Sequence, residues 1–166
     1  MTKFLAAILG LIMRRFFAFA AVLLVAAPAL GDWDDARAAY YRGDYETAFE
    51  ELLPYAQEGD AEAQAMVGVM YQGGYGMRQD LAEAAKWYRR AAAQCHAAAV
   101  GMLGGLYAQG LGVPLNHIEA YKLLSLSSAL GERKASEALN LLVSFMTREQ
   151  IAEAKRRSAT LLSNCR

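Results

Sequence analysis

Two histidines, a cluster of serines, two cysteines and a glycine-rich tetrapeptide are the parts of this chain that could do chemistry. His96 and His117 are too few to build a metal centre without further ligands, and each stands where a helix is expected to start, which suits a solvated or capping role. Ser125, Ser127 and Ser128 lack a G-x-S-x-G elbow and a histidine partner, so small-residue packing explains them better than nucleophilic catalysis. Gly73-Gly74-Tyr75-Gly76 could cradle a phosphate, but no Lys-Ser/Thr pair follows it. Scattered acids such as Glu50, Glu51 and Glu58 read as a solvated helix face. Cys95 and Cys165 could pair in an oxidising compartment. Spacing alone does not bring their Cα atoms within bonding range, so free or intermolecular thiols stay open as alternatives. The inventory predicts no catalytic residues, no metal and no cofactor.

The elements that carry these residues repeat. Ala61–His96 and Ala97–Glu132 align over 36 positions with eleven identities, among them Ala63/Ala99, Met66/Met102, Gly68/Gly104, Tyr71/Tyr107, Gly74/Gly110, Gly76/Gly112, Glu83/Glu119 and Ala84/Ala120. Chance at a fixed offset in so alanine-rich a chain would give about three. The glycine loop recurs at Gly110–Gly112, which makes it the turn of the repeat. A period of this length with two helical segments per unit predicts a solenoid of stacked helix pairs.

Within the first full unit, Ala63, Val67, Gly68 and Tyr71 fall at helical spacing and predict a helix A over Ala61–Gln72, stopped by the glycines. Asp80 with Glu83 reads as a capping box opening helix B, repeated by Asn116 and Glu119. Shifting back by one period reveals a half-repeat, with Trp33–Arg42 as a shortened A helix and Tyr45–Glu58 as its B partner. Arg133–Phe145 continues as a third A helix through Ala135, Leu139 and Leu142. Thr147 with Gln150 predicts another capping box, opening a last helix to about Leu162. That helix has an apolar face (Ile151, Ala154, Ser158, Leu161, Leu162) and a charged back (Glu153, Lys155, Arg156, Arg157), as a terminal cap requires. The expected organisation is an export segment over 1–31 and one repeat domain over 32–166: a partial repeat at 32–60, full repeats at 61–96 and 97–132, and a divergent cap at 133–166. The fold class expected is an all-α solenoid of about seven helices.

The composition is 55% hydrophobic and 20% charged with three prolines, which fits a compact helical protein and argues against disorder. Lys3, Arg14 and Arg15 are the only charged residues before Asp32, so the remainder is mildly acidic and has no basic stripe for nucleic acid. Arg14-Arg15, the apolar stretch that begins at Phe16, and small residues at Ala27-Pro28-Ala29 and Ala29-Leu30-Gly31 read as a signal peptide cleaved near Ala29 or Gly31. The uninterrupted apolar run to Leu30 is shorter than the ~20 residues that span a bilayer. The arginine pair interrupts what would otherwise be one long apolar segment, which favours a start at Met13 over Met1. RRFFA partly resembles a twin-arginine signal, but the absence of a cofactor motif favours the general secretory route. A periplasmic or secreted location is expected, with membrane contact only if the segment stays uncleaved.

The pattern A-x-A-x-x-x-(V/L)-G-x-x-Y-x-x-G-x-G-(V/M), followed by D/N-x-x-E-A and W-Y-x-x-A-A, resembles the Sel1-like repeat, a relative of the tetratricopeptide repeat. The match is strong over Ala61–His96, good over Ala97–Glu132, partial over Trp33–Asp60 and weak after Arg133. The resemblance implies a right-handed superhelix of antiparallel helix pairs, in a family known mostly for adaptors of protein complexes. In this chain Cys95 stands where the family has a terminal glycine, so that turn is strained or the helix ends differently. Leu123 stands in place of the tryptophan at Trp87, and Arg133 in place of the opening alanine. Gly68 and Gly104 imply close approach of a neighbouring helix, with Ala84, Ala91 and Ala92 (Ala120, Ser127 and Ser128 in the next unit) as small counterparts. Tyr71, Tyr107, Trp87 and Tyr88 are the expected wedges between layers.

If Ala63, Val67 and Tyr71 face the core, the other side of helix A presents Glu62, Ala65, Met66, Val69 and Gln72. The next unit presents Ala98, Gly101, Met102, Gly105 and Ala108. Two methionines among small residues suit an adaptable apolar groove for a protein or peptide partner, with padding between repeats as the plainer role. The function expected is a non-enzymatic interaction scaffold of the bacterial cell envelope. The alternative implied by resemblance is a cell-wall or β-lactam-active hydrolase like some cysteine-rich Sel1-like proteins, although those carry a cysteine pair within each repeat. A third reading is an envelope protein whose repeats only stabilise an assembly.

Overall fold

The computed structural model describes residues 33–158 and Cys165. The expected signal segment, the choice between Met1 and Met13, and the last expected helical positions beyond Ser158 lie outside the described residues. Within them the chain forms eight helices and no strand: α1 (Trp33–Arg42), α2 (Tyr45–Glu58), α3 (Ala61–Gly73), α4 (Leu81–Ala93), α5 (Ala97–Gln109), α6 (His117–Ala129), α7 (Arg133–Val143) and α8 (Arg148–Ser158). Seven are repeat helices and the eighth is the terminal cap, one more than the count expected. Each helix from α1 to α6 packs on the next, and α8 packs on α6.

The helix starts are set by short polar side chains that take up otherwise unpaired N–H groups. Asp60 accepts from Ala63 N at 2.7 Å, and Asn116 from Glu119 N at 3.0 Å. Asp80 accepts from both Ala82 N and Glu83 N. The capping boxes expected at Asp80/Glu83 and Asn116/Glu119 form only in this half. The backbone N–H of each cap is already donated across the turn, Asp80 to Tyr71 O and Asn116 to Tyr107 O. With no donor left to reach back to, Glu83 and Glu119 instead pair forward with Lys86 at 2.6 Å and Lys122 at 2.8 Å. Thr147 and Gln150 do form a reciprocal box, Thr147 N donating to Gln150 Oε1 and Gln150 N to Thr147 Oγ1. The helix expected over Arg133–Phe145 stops at Val143, where Ser144 turns its hydroxyl back onto Leu141 O.

Two glycine positions carry the stacking. A Cβ on Gly68 would sit 2.5 Å from the ring of Tyr88, which is fully buried. The glycine is therefore a notch for a ring on the next helix, rather than for the alanines expected there. In the next unit Leu124 fills the notch of Gly104 more loosely, at 3.0 Å. The second position is the repeat loop. Gly76 has φ +73° and lies against the Tyr45 backbone, and Gly112, φ +68°, lies against the Leu81 backbone one period later. Each loop thus rests on the start of the preceding B helix, where a side chain would block it.

Three contiguous clusters make up the interior. One joins Leu52, Val67, Met70 and Trp87, the next Tyr88, Val100, Leu103 and Leu106, and the last Tyr121, Leu124, Leu142 and Ala154. Burial raises the Tyr88 phenol above its usual range, so the hydroxyl stays a donor, to Gln72 Oε1 at 2.6 Å.

Candidate functional site

The structure separates the residues expected to line a binding face. Glu62 is exposed, with its carboxylate 2.8 Å from His96 Nε2. Met66 is half-buried against the Trp87 cluster and Val69 against the Tyr88 cluster. Gln72 holds the Tyr88 hydroxyl. Ala65 is buried. On α5, Met102 is 43% exposed, and a Cβ on Gly105 would meet no atom within 4 Å. The open surface therefore lies on the second full unit, beside Met102 and Gly105.

That surface is an apolar groove between α5 and α7. One part, of about 370 Å³, runs between Ala98, Gly101, Met102 and Gly105 on α5 and Ala135 and Ala138 on α7, over Leu124 of α6. An adjoining part, of about 430 Å³, continues past Ala108 to Leu115, Leu141 and Phe145. Leu141 and Phe145 stand 65% and 66% exposed on its far edge. Helix α5 carries no charged side chain along its thirteen residues. Glu132 and Lys134 border one end of the groove, and Gln109 and His117 border the other.

The repeat register explains why the groove lies here. One period earlier, the positions of Gly105, Leu124 and Ala138 are held by Val69, Tyr88 and Met102. Three reductions in side-chain size at one step leave unfilled space, since interiors otherwise pack to near-crystalline density. Leu115, Leu141 and Phe145 were not singled out from the sequence. The available signal was the Leu141/Phe145 pair, four residues apart and off the stripe of Ala135, Leu139 and Leu142.

The other chemistry-bearing residues take structural positions. His96 caps α5, its Nδ1 accepting from Ala99 N at 3.2 Å, so Nε2 is free to donate to Glu62. Beside it Gln94 donates to Gly59 O and Gln64 Oε1, while Gln64 donates to Ala56 O, which ties two successive turns together. Ser127 donates to Ala97 O and Ser128 pairs with Ser136. His117 opens α6 at the groove edge. Among the described residues no group of three or more His, Cys, Asp or Glu could hold a metal ion. No helix among them is long and apolar enough to cross a membrane. Cys95 and Cys165 are joined by a disulfide, with Cα atoms 5.6 Å apart.

Fold and surface together define an all-α helical-repeat protein whose conspicuous feature is an inter-helical groove. Residues 61–94 and 97–132 match the family model of the Sel1 repeat, and these two units are Sel1 repeats. The chain is similar in structure to a protective antigen of uropathogenic Escherichia coli strains that displays an SLR fold. That match has a TM-score of 0.72 and 28% identity, over 76% of this chain and 28% of that one. It is also similar to a Sel1 repeat protein from Oxalobacter formigenes, with a TM-score of 0.63 and 26% identity, over 76% of this chain and 54% of that one. The chain thus spans about half or less of these relatives' length. No curated protein matches it in sequence. Sel1 repeat proteins are generally protein-interaction scaffolds and are typically not enzymes.

Proposed function

We propose that this protein is a non-enzymatic scaffold of the bacterial cell envelope, exported to the periplasm or beyond, that binds a protein or peptide in the α5–α7 groove. The observation that carries the proposal is the groove itself, a charge-free wall with large exposed apolar side chains on its opposite edge. A surface of this kind is a recurrent mark of an interaction site. A helix or short peptide presenting apolar anchors suits it. The signal-like residues 1–31 support export, as does a disulfide, which persists in oxidising compartments. The hydrolase reading gains no support, because the bridge joins a repeat turn to the C-terminal segment rather than two cysteines of one repeat.

Affinity capture from envelope extract, with wild type and Met102→Glu compared, tests the proposal. Wild type should retain a partner that the variant loses at unchanged helical content, since an exposed substitution costs under ~0.5 kcal/mol. Equal capture by both would move the site elsewhere. A hydrolytic activity abolished by one side-chain change would overturn the scaffold reading. N-terminal sequencing of the mature chain tests export, and a protein retaining Arg14-Arg15 would contradict it.

A further inference from the structure

Four tyrosines meet where α1 ends, α2 begins and the first repeat loop folds back. Tyr40 and Tyr41 lie in the last turn of α1, Tyr45 opens α2, and Tyr75 stands in the loop between α3 and α4. The ring of Tyr40 is the hub. Its centroid is 5.7 Å from that of Tyr41, 5.5 Å from Tyr45 and 6.5 Å from Tyr75, and all three contacts are edge-on. Tyr45 and Tyr75 meet differently, their rings stacked at 4.7 Å with 26° between the planes. Both arrangements are favoured ones for aromatic pairs. Tyr41 is 78% exposed, so the cluster reaches solvent through it.

The fold itself builds the stacked pair. A Cβ on Gly76 would fall 2.7 Å from the carbonyl carbon of Tyr45, so the two backbones touch and the neighbouring Tyr75 is carried to Tyr45. A Cβ on Gly73 would fall 2.4 Å from the Tyr75 ring, which therefore rests over that glycine. The arrangement belongs to this step of the solenoid. One period on, Tyr40, Tyr45 and Tyr75 give way to Gly76, Leu81 and Leu111. Leucine packs there without a hydroxyl, and the four hydroxyls here take no part in hydrogen bonds among the described residues. Packing alone therefore does not call for phenols. What the phenol adds to an aromatic ring is easy one-electron oxidation, which rings in contact pass from one to the next.

We propose that Tyr45 and Tyr75 are a site of oxidative cross-linking, with Tyr41 as the entry and Tyr40 as the relay. The oxidant is hydrogen peroxide acting through a haem peroxidase. Two one-electron steps take an electron and a proton from each phenol of the stacked pair, and the peroxide is reduced to two waters. Tyr41 and Tyr40 regain the electron and proton they hand on. The two phenoxyl radicals couple through a carbon–carbon bond between ring carbons ortho to the oxygens. The hydrogens on those carbons then pass to the oxygens, which restores both phenols. The protein has lost two hydrogen atoms and gained a bridge from α2 to the loop after α3. Tyr45 and Tyr75 couple with each other because their faces already overlap, whereas Tyr40 meets its neighbours edge-on. The bridge restrains the unfolded chain as a disulfide does, and fastens the partial repeat to the first full one. The inference involves neither the groove nor the Cys95–Cys165 bond.

Treatment of the full mature chain with hydrogen peroxide and a haem peroxidase tests it, with wild type, Tyr41→Phe, Tyr45→Phe, Tyr75→Phe and Gly76→Ala compared. Trypsin with a glutamate-specific protease isolates Tyr45 from every other tyrosine in residues 43–46. Mass spectrometry should find that peptide joined to residues 63–78, two hydrogens lighter than the two together. The joined peptide should come from monomeric protein, vanish in Tyr45→Phe and Tyr75→Phe, and form at least threefold more slowly in Tyr41→Phe. Its yield should fall at least fivefold in Gly76→Ala, whose Cβ moves the loop off Tyr45. The phenylalanine variants lose only a hydroxyl, and unchanged helical content confirms that they fold. Coupling found only between Tyr41 side chains of two molecules overturns the proposal. So does a bond that persists in Tyr75→Phe, which would assign it to Tyr71. A wild-type yield in Gly76→Ala would overturn it by removing the role of the stacked geometry, and a wild-type rate in Tyr41→Phe would overturn the relay.

Discussion

Glycine does opposite jobs at two positions on equivalent helices, and the difference lies in what each would touch. At Gly68 the missing Cβ makes room for the ring of Tyr88, and the approach is too close for any side chain. At Gly105 the surrounding space is open, so its cost to the helix, about 1 kcal/mol relative to alanine, is not repaid by packing. Gly68→Ala should destabilise by about 1–3 kcal/mol, the range for overfilled cores. Gly105→Ala should stabilise by up to about 1 kcal/mol. Urea unfolding of the two variants beside wild type checks both signs, and a destabilised Gly105→Ala would mean that the groove is filled in solution. Sequence could say that both glycines were unusual in helices. It could not say which one faced a ring, because Tyr88 is brought to Gly68 by a turn and a second helix.

Local rules made the elements legible. The stops at Gly74 and Gly110 and the caps at Asp80 and Asn116 depend on residues within a few positions of each other, and those helix boundaries followed them closely. Where an expectation failed, a longer connection had intervened. Glu83 was read as closing a box, but the N–H it would take is held by Tyr71 O across the loop. The two carboxylates at this helix start therefore have separate values. Asp80→Ala should cost about 1 kcal/mol, the usual loss for an N-cap. Glu83→Gln should cost about 0.5 kcal/mol or less, because it removes only an exposed pair with Lys86. Thermal unfolding of the two variants decides the matter, and equal losses would restore the reciprocal box.

At the scale of the whole molecule, the 36-residue period announced a helical-repeat solenoid, and the candidate site arises where successive steps of that solenoid differ. A sequence reading that placed equal weight on Met66 and Met102 treated the repeats as identical. Their surroundings are not: the positions facing the later step are smaller, and α7 ends where the glycine loop of the pattern has been lost. The groove is therefore a property of the difference between repeats, legible only once both steps are laid in register. This makes it possible to close the groove with residues the protein already uses. Gly105→Val/Ala138→Met restores at this step the side chains found one period earlier at Val69 and Met102. Added methyl and thioether groups should occupy space now open to solvent without forcing neighbours apart, and valine forms helix better than glycine. Stability should hold or rise, while affinity for the captured partner falls at least tenfold, a change measurable by calorimetry. Tight binding by a stably folded double variant would show that the groove between α5 and α7 is not where the partner docks.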